Sequence, residues 1–200
     1  MRRAVFIDRD GVICRNRDDY VKRWEEFVFL RGSLQALCRL AHLDLPIIVV
    51  SNQSIINRRM VPVETVDYIN ARMGQAIEAA GGRIDRVMIC PHRPDEGCAC
   101  RKPQPGLLVT AAEEFGLDLA QCYLIGDAKT DMQAGRAVGC HPYLVLTGRG
   151  LRQVSRCWVD GERGFTVVPN LGAAVNAIVR REDGGGCRFL HCGRGRGGER

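Results

Sequence analysis

Asp8 and Asp10 stand one residue apart, directly after the apolar run Val5-Phe6-Ile7 and directly before Gly11. Carboxylates at i and i+2 past the carboxyl end of a strand point into one crevice, the place where open α/β sheets bind ligands. Two desolvated carboxylates side by side require a cation between them or a shared proton. Three more groups follow apolar runs in the same manner. Ser51-Asn52-Gln53-Ser54 offers a hydroxyl and turn N–H groups to a phosphoryl oxygen. Arg101-Lys102-Pro103 leads through Pro105-Gly106 into a helical stretch and offers a fixed cation, while Gly126-Asp127-Ala128-Lys129-Thr130-Asp131 sets two acids about one helical turn apart. Each has a plain alternative when taken singly: a turn, a solvated lysine, a helix N-cap. Together they put four acids, a lysine and a hydroxyl on one crevice. Magnesium prefers hard oxygen ligands, commonly one or two carboxylates with water and substrate phosphate, so the set predicts Mg²⁺-dependent phosphoryl transfer.

A second cluster has different chemistry. Cys90-x-His92, five residues and Cys98-x-Cys100 bring three thiolates and an imidazole into eleven residues. A closed Cys₃His set suits structural Zn²⁺ rather than a catalytic zinc with an open position. Pro91, Pro94 and Gly97 fold the loop back on itself. Because Arg101 and Lys102 follow Cys100 at once, such a zinc would hold the loop that carries the lysine. Free thiols in a loop are the alternative.

These groups need a scaffold that gathers strand ends. Strand-like runs fall at 4–7, 47–50, 87–89, 123–125 and 143–146, with a weaker one at 166–168. Helices are predicted over 33–43, 63–80, 106–115, 130–138 and 171–180, from spacings such as Val66, Ile69, Met73 and Ile77. Gly81-Gly82 and Gly116 stand where helices should stop. The alternation predicts an α/β, Rossmann-like three-layer sandwich with a central parallel sheet covered on both faces. Residues 1–182 make up the domain, and 183–200, rich in Gly and Arg, read as a disordered tail carrying Cys187 and Cys192. No internal repeat is present.

Two hundred residues with 46% hydrophobic and 26% charged content describe a globular chain with room for one sizeable core. No apolar run reaches the ~20 residues of a membrane span, and no signal peptide is evident, so the expected compartment is the cytoplasm. Ten cysteines there argue against a disulfide scaffold; Cys14, Cys38, Cys122, Cys140 and Cys157 sit singly beside apolar residues, as small core hydrophobes do. The net charge of +6 suits an anionic ligand. It does not choose between a phosphate ester and nucleic acid, but no aromatic and basic platform for bases accompanies it.

Asp8-x-Asp10-Gly11-Val12, Ser51, Lys102 and Gly126-Asp127-x-x-x-Asp131 resemble the four ordered motifs of the haloacid dehalogenase superfamily, over about residues 3–147. The resemblance implies that Asp8 is the nucleophile of an aspartyl-phosphate mechanism and Asp10 its general acid and base. It implies Mg²⁺ on the carboxylates of Asp8 and Asp127 and the carbonyl of Asp10. Ser51 and Lys102 would bind the transferring group, and Asp131 would orient Lys102 or a metal-bound water. Carboxylate crowding would raise the pKa of Asp10.

Cys-Pro-His and Cys-x-Cys-Arg-Lys-Pro resemble the D-glycero-D-manno-heptose 1,7-bisphosphate phosphatase family, whose zinc loop the histidinol-phosphate phosphatases share. Ser51-Asn52-Gln53 and Asp131-Met132-Gln133-Ala134-Gly135 lie on the heptose side. The implied substrate is a small sugar phosphate, handled by a monomer without a membrane or nucleic-acid partner. Asn52, Gln53, Arg58 and Arg101 are expected to contact it, with Lys22, Arg58 and Arg101 as candidates for its second phosphate. The glycines that flank the family's arginine are Ile55 and Arg59 here, so this loop has its own shape. No segment is long enough for a large cap domain. The alternatives are another small phosphate ester (histidinol phosphate or a 3′-phosphate end) and a zinc-stabilised binding protein without turnover.

Overall fold

Val5 and Ile7 face one side of the first strand, Phe6 the other, and all three are fully buried. A strand apolar on both faces belongs in the middle of a covered parallel sheet. The computed structural model, which describes residues 2–184, places it there. Strands β1 (Val5–Ile7), β2 (Ile47–Asn52), β3 (Arg86–Cys90), β4 (Tyr123–Gly126), β5 (His141–Val145) and β6 (Thr166–Val168) form one sheet in the order β3-β2-β1-β4-β5-β6. Every pairing is parallel, with Val5 opposite Ile47 on one side and Tyr123 on the other.

Helices α1 (Ser33–Leu40), α2 (Val63–Ala79) and α6 (Leu171–Glu182) cover one face, α3 (Gly106–Phe115) and α4 (Lys129–Ala137) the other. Leu37, Ile69, Met73 and Val175 pack on Val5, Ile7, Ile47 and Val49, whereas Leu107, Leu108 and Ala111 pack on Phe6, Ile48 and Val50. Each of these side chains other than Ala111 contributes about 1.5–3 kcal/mol by leaving water. This is the expected three-layer sandwich.

The chain departs from its predicted elements in few places. Helix α1 stops at Leu40, and residues 147–165, unassigned in the sequence, contain α5 (Gly150–Val159). Only Val154 and Cys157 of its larger residues turn inward, while Leu151, Trp158 and Val159 face out. That is too short a buried run to set a period. Cys14, Cys122, Cys140 and Cys157 are buried as expected and Cys38 is half-buried. The predicted tail lies outside the described residues except for Asp183 and Gly184. Among the described residues no helix is long and apolar enough to cross a membrane.

The strand order reverses between β1 and β4. Ligands bind at such a switch point, outside the carboxyl ends of the strands. Asp8 leaves β1 there and Asp127 leaves β4.

Candidate active site

Lys102 organises the acids. Its Nζ lies 2.8 Å from Asp8 Oδ1, 2.6 Å from Asp131 Oδ1 and 2.8 Å from the carbonyl of Val50, with the side chain 3% exposed. Burial alone would lower the lysine pKa; Asp131 and Asp8 outweigh it and hold the ammonium charged. Asp131 also accepts the N–H of Ala128 on Oδ2, which anchors it to the first turn of α4. One side chain thus carries both a bond to the start of α4 and the ion pair with Lys102.

Asp127 is held from the opposite side. The N–H of Arg149 donates to Asp127 Oδ2 at 2.7 Å, and Thr147 Oγ1 donates to the Gly11 carbonyl at 2.7 Å. The segment Thr147-Gly148-Arg149 therefore ties the loop after β1 to the acid after β4. Gly148 has φ +58°, and a Cβ there would overlap Asp127 Oδ2 and come within 2.5 Å of the Gly11 Cα. Only a residue without a side chain fits. The sequence reading missed this segment, whose one signal was a threonine and two glycines directly after a strand.

Asp10 has a different neighbourhood from the one expected. Arg9 contacts it with Nη2 at 3.0 Å and Nε at 3.2 Å from Oδ2, and Gln53 Nε2 donates to the same oxygen at 2.7 Å. Burial and neighbouring acids bear on Asp8 and Asp127, while the Asp10 side chain rests against a guanidinium. Arg9 also donates to Asn70 Oδ1 of α2 at 2.9 Å and lies 6.0 Å from the Phe27 ring centroid.

The turn after β2 is stitched to the cysteine loop. Ser51 is buried and accepts Gln53 Nε2 at 2.8 Å, while the Gln53 N–H, expected to face a phosphoryl oxygen, donates to the Cys90 carbonyl at 2.7 Å. Asn52 forms a reciprocal pair with the Lys102 main chain, Nδ2 to its carbonyl and Oδ1 from its N–H, both at 3.1 Å. Its amide clamps the lysine loop, so any substrate contact comes second to that task.

Cys90, His92, Cys98 and Cys100 converge as predicted. The Cys100 sulfur is 3.2 Å from Cys90 and 3.6 Å from Cys98, Cys90 and Cys98 are 3.6 Å apart, and His92 Nδ1 lies 3.2 Å from Cys100 and 3.5 Å from Cys90. Zn–S bonds of about 2.3 Å at tetrahedral angles separate sulfurs by roughly 3.8 Å, so the donor set fits one zinc. Burial raises the Cys90 thiol to about 12, and contacts from Cys100 and Cys90 hold Cys98 below its ordinary value despite its burial. The Gly106 N–H donates to Ala99 at 3.0 Å and fastens the loop to α3.

Asp8, Asp10, Ser51, Asn52, Gln53, Arg101, Lys102, Asp127 and Asp131 all line one cleft of about 760 Å³. Arg101 faces it while donating to the His92 carbonyl at 3.0 Å. Arg58 does not line it: that side chain is exposed, with Nε 3.4 Å from Ser54 Oγ. Lys22 stays outside too, paired to Asp19 at 2.7 Å. Arg9, Arg17, Arg93 and Arg149 supply the remaining cations of the wall.

The acids suit Mg²⁺ by elimination. Asp8, Asp127 and Asp131 each bring an oxygen within 4.8 Å of the others. Asp131 has given one oxygen to Lys102 and one to Ala128, whereas Lys102 takes one of Asp8 and Arg149 one of Asp127. One free oxygen each on Asp8 and Asp127 matches the one or two carboxylates that magnesium takes. Burial first, then repulsion from the neighbouring acids, raises Asp8 to about 7 and Asp127 to about 8. A raised acid contributes stability below its unfolded pKa near 3.8 that is lost as pH climbs through the folded value. In Mg²⁺-free buffer the melting temperature should fall between pH 5 and pH 8. The rise in melting temperature on adding Mg²⁺ should be larger at pH 8; equal rises at both pH values would count against this site.

The HAD-hydrolase-like family matches residues 99–174. The D-glycero-β-D-manno-heptose-1,7-bisphosphate 7-phosphatase of Pseudomonas aeruginosa is 36% identical over 179 residues, covering 90% of this chain and 99% of that protein. The enzyme of the same name from Bordetella bronchiseptica is 39% identical, over 89% of this chain and 98% of that one. The crystal structure of D,D-heptose 1,7-bisphosphate phosphatase from B. bronchiseptica, complexed with magnesium and phosphate, superposes with a TM-score of 0.85 at 36% identity, over 90% of this chain and 99% of that one. The enzyme from Burkholderia thailandensis gives 0.69 at 33% identity, over 89% and 99%.

Proposed function

This chain belongs to the heptose-1,7-bisphosphate 7-phosphatase family of haloacid dehalogenase-like hydrolases, and on that footing we propose the reaction of its site. It is a phosphoric monoester hydrolase that converts D-glycero-β-D-manno-heptose 1,7-bisphosphate to heptose 1-phosphate and phosphate. The observation that carries the chemistry is the buried bridge Asp8–Lys102–Asp131 beside Asp127.

Asp8 is the nucleophile. A bond forms between its carboxylate and phosphorus as the bond from phosphorus to the C7 oxygen breaks, and Asp10 gives its proton to that oxygen. Water then attacks phosphorus, Asp10 takes the proton back, and the Asp8 carboxylate is restored with release of phosphate. Lys102 and the Ser51 hydroxyl face the transferring group, Lys102 being held charged and in place by Asp131. Asp8 and Asp127 would hold the Mg²⁺, whose charge would offset the repulsion between acid and phosphate. A Zn²⁺ on Cys90, His92, Cys98 and Cys100 would fix the loop ending in Arg101 and Lys102. Arg101, on the cleft wall, is the cation we assign to the second phosphate, and Gln53 holds Asp10.

Phosphate release with Mg²⁺ should be compared for both anomers of heptose 1,7-bisphosphate, fructose 1,6-bisphosphate, histidinol phosphate and a 3′-phosphorylated oligonucleotide. The expected outcome is a preference for the β-heptose ester of at least about tenfold in kcat/KM. Turnover confined to another ester would leave the mechanism and remove the substrate.

A further inference from the structure

We infer that Arg9 and Asn70 are positioning residues for proton transfer by Asp10. This rests on the reading of Asp10 as the acid that protonates the leaving oxygen. Arg9 is only 1% exposed, among the largest fully buried side chains of the protein. A buried guanidinium is costly unless its donors are met, and it has no purpose in a core that an apolar residue would not serve better. Its donors are met in a way that singles out one acid. Nε and Nη2 address Asp10 as a fork, and Nη1 reaches across to Asn70 of α2, itself 7% exposed. The Phe27 ring lies beneath the guanidinium.

An aspartate can turn about two torsions, and a proton donor must keep its oxygens aimed at the leaving group. The fork fixes the plane of the Asp10 carboxyl, because two nitrogens of a rigid guanidinium meet it within 3.2 Å. Gln53 ties the same oxygen to Ser51. The anchor thus runs from α2 through Asn70 and Arg9 to the acid. Arg9 reaches the wall of the cleft, but each of its three nitrogens already has a protein partner and its side chain is only 2% exposed, which favours positioning over phosphate binding. When the bond between phosphorus and the leaving oxygen breaks, its electrons pass to that oxygen and the Asp10 proton follows. A misaligned acid slows this step only when the leaving oxygen needs the proton.

The test uses two esters with the intact, Mg²⁺-loaded protein. One is heptose 1,7-bisphosphate, whose alkoxide leaves poorly, and the other is 4-nitrophenyl phosphate, whose phenolate leaves unaided. The quantity read is kcat/KM, which covers only the steps through the first bond cleavage. Arg9→Met should lower it about 100-fold for the alkyl ester and less than about threefold for the aryl ester. Asn70→Ala, which keeps Arg9 but removes its anchor, should lower the alkyl value about tenfold with the aryl value little changed. Arg9→Lys keeps the charge without the fork and should not restore the ratio. Equal losses on both esters, no loss on either, or a ratio restored by lysine would overturn the inference. If Arg9→Met does not fold, the Asn70→Ala ratio decides alone. Asp10→Asn separates the two claims: if it fails to discriminate between the esters, the acid role itself falls. If it discriminates while Arg9→Met and Asn70→Ala do not, only the positioning role falls.

Discussion

Asp8→Asn should abolish phosphate release, lowering kcat by about 10⁴-fold or more, while leaving a folded protein that is more stable than wild type in Mg²⁺-free buffer near pH 8. The two effects share one cause. Asp8 is buried beside Asp131 and Asp10, and its carboxyl is raised to about 7 by that burial and by those charges, against the pull of Lys102. Holding it ionised at neutral pH without a cation is unfavourable; an amide of the same shape removes the repulsion and still accepts the Lys102 ammonium on its oxygen. The amide cannot form the bond to phosphorus. Phosphate release measured beside thermal melting at pH 8 checks both halves. Residual turnover within about tenfold of wild type would remove Asp8 as the nucleophile. Unchanged activity with lowered stability would make it a structural acid.

Cys100→Ser should cost the second-largest effect. The wild-type protein is expected to hold about one zinc per chain, measured by elemental analysis after gel filtration, and the variant none. Zinc binding in small Cys/His sites is worth about 10–16 kcal/mol at neutral pH, and much of that appears as order in the loop that binds it. Here the loop ends two residues before Lys102, and Asn52 and Gly106 fasten its far side. Losing the metal should release Lys102 from Asp8 and Asp131, lower activity by about 100-fold or more and lower the melting temperature. Cys38→Ser, at a half-buried cysteine outside the cluster, is the control and should change neither. Zinc-free wild-type protein with full activity would show that the loop stands by its own hydrogen bonds.

Much of this site could be read before any coordinates, because its main acids stand at strand ends. Asp8 and Asp127 follow runs of buried apolar residues whose period is plain, and the cysteine spacing is local. Long-range pairing is what stayed hidden. Arg9 looks like a filler between two acids until Asn70, sixty-one positions on, meets it. Thr147 pairs with Gly11 across 136 positions, and nothing near either residue announces the other. Arg58 was expected on the cleft from its place in a motif, yet the turn after Ser54 faces its guanidinium to solvent. Asn52 lines the cleft where the motif puts it, and the fold adds a task that the motif does not show, the clamp on the Lys102 backbone. Types and order were legible; which face a turn presents was not.

The meeting of Gly11 and Gly148 limits how a protein of this kind can be redesigned. The loop after β1, which carries Asp8 and Asp10, and the loop after β5 touch there main chain to main chain, and a single methyl at either glycine would press on Asp127. The chemical centre therefore admits no gradual adjustment at that seam, since the smallest side chain is already too large. The rim is different: residues 57–60 and 93–97 stand in solvent. A library aimed at accepting new phosphate esters should place its diversity on those rim loops and hold the seam invariant. What enters the cleft can be retuned in small steps, while what happens to it there is kept or lost whole.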